Sequence, residues 1–227
     1  MKYLIVNADD FGASPGINRG IVEAHRHGIL TSTSLLVKTP WSEQAAKLGR
    51  ALPDLSVGLH ADVMIELGPA SANFRRVREE LREQFRRFEE LMGRLPTHLD
   101  SHHNVHRDPQ ALSLFQDLAE EYRLPLREHS PVRYLPKFYG QWGGESHLEQ
   151  ISVASLMQML KTEIGEGFTE LSCHPGYIDP LYPTGYSVER ETELRTLCDP
   201  MIRGQLEKCS IHLMNYHFDQ LRHATAA

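Results

Sequence analysis

The sequence predicts an α/β chain folded as one incomplete or distorted (β/α) barrel of about seven parallel strands, and three observations predict it. Short aliphatic runs such as Tyr3-Leu4-Ile5-Val6 read as strands buried on both faces. These runs alternate with amphipathic helical segments along the chain, which is the pattern of a parallel sheet. Polar clusters rich in Asp and His end several of the runs, at the rim where barrel folds collect their active sites.

The first run stops on Asn7-Ala8-Asp9-Asp10-Phe11-Gly12. Ser14 then fits a helix N-cap, Pro15 the first helical position, and Ile17, Ile21 and Ala24 recur at helical spacing until Gly28. A second strand is expected from Ile29 to Val37, followed by a helix from Trp41 to Leu52 that ends before Pro53. The third strand, Leu55 to Val63, carries His60 near its end. Gly68-Pro69-Ala70-Ser71-Ala72 reads as a loop. Beyond it Phe74, Val77, Leu81, Phe85, Phe88 and Leu91 mark a long amphipathic helix ending at Gly93. Its interleaved Arg and Glu residues read as a solvated face.

Pro96 to Asp100 is the fourth expected strand, running into Ser101-His102-His103-Asn104-Val105-His106. A helix follows from Pro109 to Tyr122, and a short strand around Leu124 to Arg127. From Glu128 to Ser146 periodicity fails, and the Pro, Gly, Tyr and Trp residues there read as a long functional loop. Val153 to Ile164 restores a helix. Phe168 to Gly176 is a strand ending in Cys173-His174-Pro175-Gly176. A loop from Tyr177 to Tyr186 precedes a helix with an expected N-cap at Ser187, then a second short helix and a last strand between Ser210 and Tyr216. Residues 1–227 form one domain on this pattern, with 218–227 expected as a disordered tail.

Composition narrows the function. With 30 acids interleaved among 24 bases and a net charge of -6, no basic face is offered to nucleic acid or to an anionic membrane, so a small or neutral substrate is favoured. No run reaches the roughly eighteen apolar residues of a membrane span. Three cysteines without metal-finger spacing, and no apolar leader, point to a reduced, cytoplasmic protein. A homodimer is expected if an outer helix exposes an apolar face.

An isolated Asp-Asp pair at a strand end reads most simply as one capping acid and one solvated acid, and His60 or His174 alone reads as a packing residue. Three strands ending in His beside an Asp-Asp strand end make a convergent site instead. One carboxylate and two imidazoles suit a divalent ion with open positions, and the second acid is then free to take a proton from water. Metal-assisted hydrolysis is the implied class. Local geometry leaves open which imidazole of the 102–106 cluster binds. His98 and Asp100 read as supporting or structural residues, Cys173 as a buried thiol, and the loop aromatics equally as sugar platforms or as anchors.

Together Asn7-Ala8-Asp9-Asp10-Phe11-Gly12, Thr31-Ser32-Thr33-Ser34, Val57-Gly58-Leu59-His60, the Thr97–His106 segment and Cys173-His174-Pro175-Gly176 resemble the YdjC-like carbohydrate deacetylases. Arg190-Glu191-Thr192-Glu193-Leu194 resembles the helix start that follows in that family. The resemblance implies a distorted, TIM-barrel-like fold and removal of an N-acetyl group from an amino sugar, typically in a chito-oligosaccharide. It implies Asp10, His60 and His102 as ligands of one divalent ion, Mg²⁺ or Zn²⁺, with Asp9 as general base. By the logic of related polysaccharide deacetylases, His174 would protonate the leaving amine and Arg190 would orient Asp9. The segment after His60 is shorter than is usual in the family, and Asn104 stands where a histidine is common. A phosphoester hydrolase or sugar isomerase would need a phosphate cradle or a strand-end Lys, neither of which is seen. A glycan-binding relative without catalysis would not need Asp9 and the full ligand set.

Overall fold

The computed structural model describes residues 1–64 and 70–217, with the side chains of residues 70–73 left aside. Both the shortened part of the segment after His60, at 65–69, and the expected tail at 218–227 lie outside the described residues.

The elements follow the expected order. They are β1 (Lys2–Phe11), α1 (Pro15–His27), β2 (Ser32–Leu35), α2 (Ser42–Arg50), β3 (Ser56–Ala61), α3 (Ala70–Met92), β4 (Leu99–Ser101) and α4 (Pro109–Tyr122). Then come β5 (Arg133–Leu135), β6 (Gln141–Trp142), β7 (Glu145–Ser146), α5 (Val153–Thr162), β8 (Gly167–Cys173), α6 (Ser187–Leu197), α7 (Pro200–Lys208) and β9 (Ile211–Leu213). Seven of these strands form one sheet in the order β4-β3-β2-β1-β8-β5, with β9 also on β1. Every pairing within it is parallel. β8 lies along one edge of β1 from Lys2 to Ala8, and β9 and β2 divide the other edge between them. Strands β4 and β5 do not pair, so the barrel is open there. Leu126, bridged to Leu99, and the adjacent Arg127 stand in the gap.

Two strand assignments need correction. Leu124 to Arg127 is reduced to the single bridge at Leu126, and the strand that pairs with β8 lies instead at Arg133–Leu135, inside the expected loop. Flanking Pro131 and Pro136 hide that strand, whose state comes from its pairing with β8. The same loop holds the antiparallel ribbon β6–β7, turned by Gly143 and Gly144 at φ 62° and 80°. Ser187 is not the cap of α6 but its first residue, and its hydroxyl donates to the Thr184 carbonyl at 2.8 Å.

The core lies between sheet and helices. Ile17, Ile21 and Ala24 of α1 and Val77, Leu81, Phe85 and Phe88 of α3 are buried as their spacing requires. Each large side chain so buried contributes about 1.5–3 kcal/mol. The outer face of α3 pairs its charges in exposed contacts such as Arg82–Glu121 at 2.6 Å, which are worth little in water. Gly20 of α1 packs so close to the turn after β8 that a Cβ there would stand 2.5 Å from the Gly176 Cα. That contact fixes the turn that follows His174. No helix among the described residues is long and apolar enough to cross a membrane.

Candidate active site

Asp9, Asp10, His60, His102 and His174 meet at the C-terminal rim of the sheet and line one cleft of about 620 Å³. A larger hollow, about 850 Å³, opens between α4 and Phe168 and contains none of these residues. Neighbouring side chains in a strand point to opposite faces. At Asp10 the backbone turns into the left-handed region, φ 69°, and both carboxylates serve the same cleft. Both are buried. Gly12, at φ 100°, completes the turn, and its N–H donates to Asn18 Oδ1 at 2.7 Å.

Asp10, His60 and His102 bring one ligand atom each to within 4.8 Å of one another. Asp10 Oδ1 is 3.5 Å from His60 Nε2 and 3.2 Å from His102 Nδ1. Both approaches are ion-pair contacts without hydrogen-bond geometry, and by that geometry this buried oxygen has no hydrogen-bond partner among the described residues. A buried orphan oxygen is costly unless something else satisfies it. The other oxygen, Oδ2, accepts from Arg190 Nη2 at 2.5 Å. Burial works to raise the Asp10 pKa, but Arg190 and the two imidazoles hold it well below the usual carboxylate range. An anionic oxygen facing two imidazole nitrogens fits a divalent cation.

Behind His60, Asp100 Oδ1 lies 2.7 Å from Nδ1 and so aims Nε2 at Asp10. Burial works to lower the His60 pKa, but Asp100 and Asp10 push it up to about 10. Asp9, His60 and Asp100 form a second close group. Arg127 already supplies the positive charge there.

The expectation that Arg190 orients Asp9 is corrected here, because Arg190 binds Asp10. The partner of Asp9 is Arg127, whose Nη1 donates to Oδ2 at 2.9 Å and Nη2 to Oδ1 at 2.7 Å. Arg127 projects from beside β4 across the barrel interior, where its Nε also donates to Glu170 at 2.8 Å and its Nη2 lies 2.8 Å from Asp100. Asn7 Nδ2 donates to Asp9 Oδ1 at 2.9 Å. Burial opposes ionisation of Asp9, but Arg127 overcomes it and the carboxyl stays below its ordinary pKa.

His174 lies on the other side of Asp9, with Nε2 3.9 Å from Asp9 Oδ2. Its backbone N–H donates to Glu193 Oε2, and its Nδ1 is 3.9 Å from Glu193 Oε1. Burial outweighs the nearby carboxylates and pushes the His174 pKa down to about 4. Glu193 is fully buried and pushed up to about 8, despite the bonds it accepts. The cleft wall is made by Tyr134, Tyr139 and Gln141 from the loop around β5 and by Tyr182 to Tyr186.

Within the 102–106 cluster, His102 faces Asp10. The His103 ring lies against His102 with centroids 3.8 Å apart and the planes tilted by 45°, and His106 is buried against Ser101 Oγ at 2.6 Å. His98 is structural, stacked on Tyr216 at 4.1 Å. Sequence reasoning missed Arg127 and Glu193. Arg127 carried a usable signal, since it ends an expected strand just as His60 ends another; Glu193 lay within the Arg190–Leu194 segment that resembles the family's helix start, but nothing in that segment pointed to its role behind His174.

The family model described as YdjC-like protein matches residues 3–208. A carbohydrate deacetylase of Geobacillus stearothermophilus is 36% identical, with 95% of this chain and 97% of that protein covered. A chitooligosaccharide deacetylase of Yersinia enterocolitica is 34% identical over 95% and 98%. Among solved structures, one from Enterococcus faecalis V583 aligns with TM-score 0.80 at 29% identity, covering 95% of this chain and 97% of that one. A family 4 carbohydrate esterase from Streptomyces lividans shares the fold, with TM-score 0.56 at 13% identity and coverage of 93% and 91%. The match takes in β1 through α7, and with it every residue of the cleft, so the chain belongs to the YdjC-like family.

Proposed function

We propose that this protein is a metal-dependent carbohydrate deacetylase that hydrolyses the N-acetyl group of an amino sugar or chito-oligosaccharide. The observation that carries the proposal is Asp10 Oδ1, buried between His60 and His102 without a hydrogen-bond partner among the described residues, with a second ionised acid, Asp9, beside it. The names of the Geobacillus and Yersinia relatives support the substrate class. Asp10, His60 and His102 would hold Mg²⁺ or Zn²⁺, which when bound acidifies water and polarises the acyl carbonyl. Three free cysteines suit a reducing compartment, and we place the protein in the cytoplasm.

Each side chain then has a task. Asp9, kept ionised by Arg127, takes a proton from the attacking water as its oxygen bonds to the acyl carbon. Arg190 holds Asp10 Oδ2 and leaves Oδ1 for the ion. His174 is neutral at rest, so its bare nitrogen can receive the proton that Asp9 took from water, with Nε2 3.9 Å from Asp9 Oδ2, and deliver it to the departing nitrogen as the C–N bond breaks, which leaves Asp9 ionised again. Acetate and the free amine are the products.

The test is acetate release from N,N'-diacetylchitobiose after chelation, then after separate addition of Mg²⁺ or Zn²⁺. Release restored by either ion is expected. No release from protein shown to hold the ion would overturn the proposal.

A further inference from the structure

Tyr186 stands where the cleft wall meets the machinery around His174. Its hydroxyl accepts from the Gly140 N–H at 2.7 Å and donates to Glu193 Oε1 at 2.6 Å. Its ring stacks on Tyr139 at 4.7 Å and 7°, and presents an edge to His174 at 5.6 Å. Tyr139 makes the same edge contact with His174 at 5.6 Å. Glu193 in turn holds the His174 backbone N–H and faces Nδ1, a buried nitrogen with no hydrogen-bond partner among the described residues. One phenol oxygen therefore ties a substrate-facing loop to the Glu193 carboxyl group behind His174.

We propose that Tyr186 is a positioning residue that couples the 139–141 wall to His174, so that wall placement and proton delivery to the leaving nitrogen are set together. The proposal rests on the deacetylase reading for its chemistry. A hydroxyl buried to this degree needs both partners, and a donor displaced by about 1 Å costs on the order of a hundredfold in rate. Since His174 serves the leaving group, loss of the Tyr186 hydroxyl should matter most where that group needs a proton.

Tyr186→Phe keeps the stacked ring and removes only the hydroxyl. With the metal-loaded enzyme, kcat for diacetylchitobiose should fall about ten- to a hundredfold. The loss on p-nitrophenyl acetate, whose phenolate departs without a proton, should be at least tenfold smaller. Equal losses on both substrates, or none, would overturn the proposal. A second readout needs no turnover: the imidazole ¹⁵N shifts of His174 should move in both Tyr186→Phe and Glu193→Gln. If the wild type releases acetate from neither substrate, the deacetylase reading fails. The coupling then stands on moved shifts and falls on unchanged ones.

Discussion

Arg127 grips Asp9 with both ends of its guanidinium, at 2.9 and 2.7 Å, from a position 118 residues away in the chain. The same group also pairs with Asp100 and Glu170, so one positive charge is shared among three buried carboxyl groups. A lysine ammonium cannot reproduce this fork. Arg127→Lys should lower kcat about a hundredfold while leaving the ion bound. Arg127→Met should also destabilise the fold by about 3–5 kcal/mol, because it strands the carboxylates. Steady-state kinetics and urea unfolding check the two effects separately.

His60 predicts proton release on metal binding. Without the ion its pKa stands near 10, because Asp100 and Asp10 outweigh its burial. The imidazole is therefore charged at neutral pH and must lose its proton to become a ligand. About one proton per ion should appear in calorimetric titrations run in buffers of different ionisation enthalpy, and affinity should rise up to about tenfold per pH unit below 10. Asp100→Asn should weaken binding about 10–100-fold by removing the group that aims the ring. Binding without proton release would show that the His60 imidazole is already neutral before the ion arrives.

His98 sets an acid limit on stability. Buried against Tyr216, it falls from the ordinary 6.5 to about 4, because burial outweighs the pull of Asp100. The unfolded chain therefore binds a proton below pH 6.5 that the folded chain refuses until about 4. This contribution is complete above 6.5 and is lost as pH falls towards 4, on the order of 3 kcal/mol in all. His98→Phe should flatten the decline of urea midpoints between pH 6.5 and 4. Equal slopes in the two proteins would show that other groups govern acid unfolding.

The fold was legible wherever period and punctuation agreed. Ser14, Pro15 and the Ile17–Ile21–Ala24 stripe mark α1, and of the expected apolar stripe of α3 the side chains of Val77, Leu81, Phe85, Phe88 and Leu91 are buried while Phe74, near its start, is exposed. The strand ends were legible as well, which is why Asp9, Asp10, His60, His102 and His174 could be gathered before any geometry. What failed was long-range. The three residues of β5 take their state from Thr169 to Leu171 on β8, and flanking prolines disguise them. Which arginine meets which acid depends on how the barrel curls: Arg190 lies 180 residues from Asp10, and no local pattern separates it from Arg127.

Asp9 and Asp10 look alike in the sequence and should separate cleanly in mutants. Asp10 divides its oxygens between Arg190 and the orphan position facing His60 and His102. Asp9 gives both of its oxygens to Arg127, with Asn7 and His174 close by. In Asp9→Asn the ligand atoms are untouched, so the ion should stay. Turnover should fall by about 10²–10⁴, because an amide cannot take a proton from water. In Asp10→Asn the anionic ligand is gone, so ion content itself should collapse and turnover with it. Metal analysis of each variant after dialysis, beside kcat on diacetylchitobiose, tells the two apart. Should Asp9→Asn lose the ion and Asp10→Asn keep it, the roles of the two acids are exchanged, and Arg127 would then be holding a ligand in place of a base.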